Sequence, residues 1–136
     1  MRTVLVIGAG KAGTAVAKAV SGEGHSVRMI EVRSEHVAEF GRQLDGVPVF
    51  LGSGTDPSDL EGAGIRSCDA VVAATGSDEV NLVAATLAKY EFEITLVAAR
   101  VVDPRNRWLF EPDMGVDVVI DETHLLAELV ARSLVG

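Results

Sequence analysis

The sequence has a single cysteine, Cys68, among its 136 residues. No disulfide can form within the chain, and a reducing compartment is the simplest setting. Cys68 reads as a small buried apolar residue beside a strand, the alternative being a reactive thiol. Aromatic residues are scarce at 4%, which leaves no platform for stacking nucleic-acid bases. Bases are outnumbered, with twelve Lys and Arg against twenty Asp and Glu and a net charge of −8. That balance opposes non-specific binding to a phosphate backbone, so no nucleic-acid partner is expected. No apolar run approaches the roughly 20 residues of a membrane-spanning helix, so direct membrane insertion is not expected either. An apolar strand starts close to Met1, leaving no stretch ahead of it for a signal peptide, and the expected location is cytoplasmic. His25, His36 and His124 are scattered without metal-ligand spacing. No Ser–His–Asp set or convergent carboxylate pair can be assembled, so no catalytic residue is assigned.

What the chain does have is apolar patterning, at 48% hydrophobic residues, enough for one domain with a sizeable core. Its most informative segment is Gly8-Ala9-Gly10-Lys11-Ala12-Gly13. Before it runs Val4-Leu5-Val6-Ile7, an unbroken apolar stretch suited to a strand buried on both faces. After it, Ala12, Ala15, Val16, Ala19 and Val20 recur at helical spacing. The next apolar strand, Val27 to Ile30, ends in the acid Glu31. Strand, glycines, helix, strand and acid in one short unit make a dinucleotide-binding fingerprint. In that reading Gly8 permits the tight strand exit, Gly10 lets a pyrophosphate approach the backbone, and Gly13 lets the helix lie near the strand. The helix start offers unpaired N–H groups to phosphate. Glu31 can accept hydrogen bonds from an adenosine ribose, favouring a free 2′-hydroxyl and making NADP(H) the less favoured ligand. Arg33, two residues on, weakens that preference because it can pair with a 2′-phosphate.

Strands and helices alternate along the rest. Helices are expected at about Lys11–Ser21, Ser34–Leu44 (Ser34 as N-cap; Val37, Phe40 and Leu44 inward) and Asp78–Tyr90 (Val80, Val83, Ala84 and Leu87 inward). Asp56-Pro57 and Asp103-Pro104 each read as a cap opening a short helix. Further strands are expected at Ser26–Glu31, Val47–Leu51, Ala70–Ala74, Ile94–Arg100 and Val116–Ile120. Thr123 is the expected cap of a last helix reaching Leu134. Two βαβαβ halves define an α/β, Rossmann-type doubly wound parallel sheet of six strands in the order 3-2-1-4-5-6, as a single domain. Ligands settle where that order reverses, which brings Gly8–Gly13 to Thr75–Asp78. The chain divides into a nucleotide-binding part, 1–121, and a terminal interface helix, 122–136.

That last helix is apolar around much of its circumference. Leu125, Leu126, Leu129, Val130 and Leu134, widened by Ala127 and Ala131, leave only a narrow strip of His124, Glu128 and Arg132. One sheet face needs an arc of about 100°, so the surplus points to another subunit or to a domain missing from this chain, the alternative being a helix sunk into its own domain. Trp108, Leu109 and Phe110 are candidates for the same contact.

With these segments placed, the chain resembles the RCK/KTN domains attached to bacterial potassium channels and Trk- or Ktr-type transporters. The resemblance rests on Val4–Gly13, on Gly52-Ser53-Gly54-Thr55-Asp56-Pro57-Ser58-Asp59-Leu60, and above all on Cys68 to Asn81. Ala99 to Pro104 and Gly115 to Ile120 complete it. It implies a sensor that binds NAD(H) or ATP/ADP in the cleft and changes the geometry of a homodimer or higher ring. That ring would act on a membrane potassium transporter or channel subunit, with the domain peripheral to the inner face of the membrane. Lys11 and Arg100 match basic positions near the family's cleft; the alternatives are a solvated lysine and a structural salt bridge. Ser53 stands where the family usually carries an acid that helps read adenine. The expected ligand-contacting set is Gly8, Gly10, Lys11, Ala12, Gly13, Glu31, Val32, Arg33, Ser53, Gly54, Thr55, Ala74, Thr75, Gly76, Asn81 and Arg100. Many family members continue past the last helix into a second lobe, so the chain is either a stand-alone subunit or a piece of a longer protein. The competing functions are the cofactor-binding half of an NAD-dependent dehydrogenase and an interaction module without a ligand.

Overall fold

In the computed structural model, which describes residues 1–135, strand β1 (Thr3–Ile7) supplies side chains to two separate cores. Val4 and Val6 point into one and Leu5 and Ile7 into the other, because successive strand residues face opposite ways. This is why its sequence is apolar without alternation. The first core lies beneath helices α1 (Lys11–Gly22) and α2 (Ser34–Gln43), with Ala17, Met29 and Phe40 buried in it. The second lies beneath α3 (Pro57–Gly62) and α4 (Asp78–Thr86), and holds Ile30, Leu60, Val71, Ala84, Ala85 and Val97. Between them runs the sheet, formed by β1, β2 (Ser26–Glu31), β3 (Val49–Leu51), β4 (Ala70–Ala73), β5 (Leu96–Val101) and β6 (Val118–Asp121). All neighbours pair in parallel, in the expected order β3-β2-β1-β4-β5-β6.

Several elements differ from the sequence expectation, each for a local reason. The inward stripe of α1 is Gly13, Val16, Ala17 and Val20, while Ala15 and Ala19 are exposed. Helix α2 opens after Arg33, whose backbone is extended; Ser34 is its first residue and its hydroxyl contacts Glu35 rather than capping. β3 begins at Val49 because Pro48 has no N–H, although its carbonyl still accepts from Met29. Helix α4 widens after Thr86 into a π-helical turn, Leu87–Glu91, beside the point where the Thr86 hydroxyl reaches the Met114 carbonyl. Its buried face is Asn81, Ala84, Ala85 and Ala88; of the residues expected inward, Ala84 is buried and Leu87 packs against the core, while Val83 is exposed. The small residues let this helix lie close to the sheet. β6 starts at Val118 rather than Val116; Asp117 just before it faces Val97, its N–H donating to the Val97 carbonyl at 2.9 Å and its carboxylate accepting from Val97 N–H at 2.8 Å.

Helix α5 (Glu122–Ser133) follows β6 with no loop. Its N-cap is Asp121, not Thr123: one carboxylate oxygen accepts from His124 N–H at 3.0 Å and the other from Arg107 at 2.9 Å. None of its residues is buried, and Leu126 and Leu129 are each 66% exposed. Trp108 is exposed as well, but Phe110 is buried in the second core and Leu109 packs against it, so neither joins that surface. Cys68 is half-buried against the same core, and burial pushes its thiol pKa up. Gly136, the end of the expected terminal segment, lies outside the described residues. Among the described residues, no helix is long and apolar enough to cross a membrane.

The start of α1 is pressed onto the exit of β1. A Cβ on Gly13 would overlap the Gly8 carbonyl oxygen and sit 2.8 Å from its carbon. Gly13→Ala is therefore expected to destabilise the fold by about 3 kcal/mol or more. Gly22→Ala, at the end of the same helix with nothing within 4 Å, should raise stability by up to about 1 kcal/mol. Urea unfolding of both variants checks the pair; equal effects would contradict the close approach.

Candidate ligand-binding cleft at the sheet reversal

Because the crossovers from β1 and β4 leave toward opposite faces, the chain exits of these two neighbours diverge and open a cleft. It has a volume of about 490 Å³ and is walled by the Gly8–Ala12 loop, the ends of β2 and β3, the Ala74–Ser77 loop and Arg100. Gly8 has φ of +102° and donates its N–H to Ile30 at 2.8 Å, which fixes the tight exit from β1. A Cβ there would lie 3.1 Å from Thr75, so the two loops touch at the cleft floor. The first bond of α1 is Thr14 N–H to the Gly10 carbonyl at 2.9 Å. The amides of Lys11, Ala12 and Gly13 precede it, and Gly10 brings no side chain to cap them. They form the positive end of the helix, suited to an anion.

Glu31 ends β2 and is almost wholly buried, yet ionised. Oε1 accepts from Ala9 N–H at 2.8 Å and from Arg33 Nη2 at 3.2 Å. Oε2 accepts from Arg33 N–H at 2.8 Å and Arg33 Nε at 3.0 Å. Burial alone would raise its pKa, but the Arg33 side chain, the two backbone amides and the guanidinium charge together hold it down at about 2. The acid therefore ties the glycine loop to the end of β2.

The loop after β3 is pressed onto β1, since a Cβ on Gly54 would overlap Cγ2 of Ile7. Ser53 N–H donates to Asp59 at 2.9 Å, and its hydroxyl lies 2.8 Å from that of Thr55. Across the cleft, Asn81 is fully buried with every part of its amide engaged. Its oxygen accepts from Thr75 N–H at 2.9 Å and from the Thr75 hydroxyl at 2.6 Å; its nitrogen donates to the carbonyls of Thr75, at 3.1 Å, and Arg100, at 2.9 Å. Asn81 thus shapes the loop from behind. Ser77 caps α4 by accepting from Val80 N–H at 3.3 Å. Asp78 is turned away, accepting from the amides of Val102 and Asp103 and from Asn106. Burial would raise its pKa, but those three bonds lower it. Arg100 donates to the Thr75 carbonyl at 3.2 Å and pairs with Glu122 in the first turn of α5.

Of the expected ligand-contacting residues, Gly8, Gly10, Lys11, Ala12, Glu31, Val32, Arg33, Ser53, Gly54, Ala74, Thr75, Gly76 and Arg100 line the cleft. Gly13, Thr55 and Asn81 lie behind its walls and act by positioning them. The wall also includes Ser77, for which the sequence allows either a ligand contact or an N-cap, and Ile7, Ile30, Gly52 and Val80, which sequence reasoning did not select. Ile7 ends β1 beside the glycines and Ile30 directly precedes the acid that ends β2, and those positions were the available signal. Among the described residues, no group of three or more His, Cys, Asp or Glu could hold a metal ion.

A glycine loop and a strand-end acid at the reversal of this sheet define a Rossmann-type domain. Residues 4–122 match the TrkA-N domain family, and the chain belongs to it. A Mycobacterium tuberculosis relative, the Trk system potassium uptake protein TrkA, is 39% identical over 136 residues, covering 96% of this chain and 59% of its own length. A TrkA homolog from Pyrococcus abyssi is 34% identical, covering 97% and 60%. The chain thus spans about three-fifths of the curated relatives it matches. The TrkA-N domain of the Escherichia coli inner membrane protein ybaL superimposes with a TM-score of 0.84 at 16% identity, over 98% of this chain and 97% of that one. The Shewanella denitrificans Kef CTD in AMP-bound form gives 0.79 at 24% identity, over 98% and 82%. The GsuK channel bound to NAD gives 0.73 at 18% identity, over 88% and 21%. These structural likenesses speak for the fold.

The saturated Glu31 carboxylate gives a pH prediction. Its pKa is depressed from 4.5 to about 2, so its contribution is complete above pH 4.5 and is lost as pH falls toward 2. Allowing for solvent around the half-exposed Arg33, that contribution is on the order of 2 kcal/mol. Glu31→Gln should be less stable than the parent at pH 6 by about this amount, and the gap should close by pH 2. Urea unfolding across that range measures it; a gap independent of pH would contradict the assignment.

Proposed function

We propose that this chain is the nucleotide-sensing part of a Trk-type potassium uptake regulator rather than an enzyme. The observation that carries the reading is the cleft itself, with the free amides of α1 facing a buried, ionised Glu31 across Gly10. That spacing suits a phosphate on the amides and an adenosine ribose on the acid. The ligand class is NAD(H) or an adenine nucleotide such as ATP, ADP or AMP. Its support is the charge arrangement together with the AMP and NAD carried by two proteins of the same fold. Lys11 and Arg100 bring positive charge to the phosphate end, and Ser53 offers a hydroxyl to the base. Among the described residues that line the cleft, Glu31 is the one carboxylate and no histidine or cysteine stands beside it as an acid–base partner. The output surface is α5, whose exposed leucines suit a second copy of the chain. Through that dimer or a larger ring, the domain would act on a potassium-transporting membrane partner from the cytoplasmic side.

Two measurements test the reading. Thermal melts with NAD⁺, NADH, AMP, ADP and ATP should show a rise of several degrees for at least one. A ligand at about 100 times its dissociation constant adds about 2.7 kcal/mol to the folded state. No shift with any of them at about millimolar concentration would sink the sensor. For the surface, light scattering at micromolar protein should give a dimer or larger mass that Leu126→Glu with Leu129→Glu reduces to a monomer. A monomeric parent would remove the interface.

A further inference from the structure

Glu31 has no room for another hydrogen bond. A carboxylate offers about four lone-pair sites, and four donors already occupy its two oxygens. Two of these, the amides of Ala9 and Arg33, belong to the backbone and are fixed by the turn. The other two come from one side chain, the guanidinium of Arg33, which is half-exposed. That guanidinium also lies over the glycine loop, with Nη2 only 3.6 Å from where a Gly10 Cβ would stand. It therefore sits in the corner between the acid and the phosphate-facing amides, where a ribose must pass.

We infer that Arg33 determines which nucleotides the cleft accepts, by competing with the ribose 2′,3′-diol for the oxygens of Glu31. This rests on the adenine-nucleotide reading and sharpens it. A ligand with both hydroxyls can bond to Glu31 only by displacing the guanidinium, because the backbone donors cannot leave. A ligand without them has no use for the acid and leaves the Arg33–Glu31 pair closed. The displaced guanidinium keeps its charge and reaches solvent easily, so displacement costs affinity without forbidding binding. Arg33 thus sets the threshold concentration at which the cleft fills, while Glu31 still enforces the preference for a diol.

Calorimetric titration of the parent, Arg33→Ala and Arg33→Lys with ADP and with 2′,3′-dideoxy-ADP tests this. Arg33→Ala should bind ADP roughly five- to tenfold more tightly than the parent, the scale of one partly exposed bidentate pair. Affinity for the dideoxy nucleotide should not change, since its binding never opens the pair. Arg33→Lys keeps the charge but not the fork, and should show a smaller gain with the same dependence on the hydroxyls. It also serves if the alanine variant folds poorly. Weaker or unchanged ADP binding by Arg33→Ala would overturn the proposal, and so would an equal gain for both nucleotides. If the parent and both variants bind neither of these nor NAD⁺, the nucleotide reading itself fails, a result distinct from any change in ratio.

Discussion

Two stretches of backbone lie against each other at the start of α1, and the rest of the molecule is arranged around that contact. A side chain on Gly13 would collide with the Gly8 carbonyl, so the helix can rest on the strand exit only because Gly13 has no Cβ. The contact holds the first turn of α1 beside the end of β1 with its amides directed outward. It also carries Ala9 N–H to within 2.8 Å of Glu31, which anchors the loop to the neighbouring strand. The same exit gives Gly8 its positive φ and brings it against Thr75, closing the cleft floor. A single backbone approach thus sets the helix, its outward-directed amides and the tie between the glycine loop and Glu31. Glycine is required here for space as much as for conformational freedom.

The loops around this contact are irregular, yet each is held by one polar side chain that takes the place of backbone partners. Glu31 binds the glycine loop, Asp59 the loop after β3, Asn81 the loop after β4, and Asp78 the loop after β5. Asp117 and Asp121 do the same around β6. Where the pKa values of these acids shift, they shift downward, because donated hydrogen bonds outweigh the cost of burial. A buried polar group is costly only when unpaired, and among the described residues no buried side-chain nitrogen or oxygen lacks a partner. The cleft wall is accordingly preformed, and the guanidinium that closes Glu31 is itself half-exposed.

What could be read in advance follows from the range of the interactions. The glycine spacing, the unbroken β1 and the Asp-Pro caps are local signals, and the strand order followed from alternation plus the handedness of crossovers. Which stripe of α4 faces the sheet was not local. Val80, Val83, Ala84 and Leu87 and the set Asn81, Ala84, Ala85 and Ala88 share one period, and close packing chose the smaller residues. Asn81 looked like a ligand contact because an amide near a loop suits either role. Only the three-dimensional structure shows both its ends consumed. The Arg33–Glu31 pair was visible as two residues, but the filling of all four acceptor sites depends on an extended backbone at Arg33. That geometry carries the specificity argument.

Helix α5 poses the remaining physical problem. It has twelve residues, none of them buried, and an isolated helix of that length is marginal in water. Its stability within this chain comes from its first turn, where Asp121 caps His124 N–H and pairs with Arg107, and where Glu122 meets Arg100. The leucines beyond contribute little until something covers them, and hydrophobic burial at ~25 cal/mol per Å² is the largest stabilisation open to such a face. The anchored end is also the end nearest the cleft. Arg100 reaches the Thr75 carbonyl from the same guanidinium that holds Glu122. The helix is therefore fixed at the end that meets the cleft wall through Arg100 and left uncovered over its leucines, which suits the proposed role of α5 as an interface.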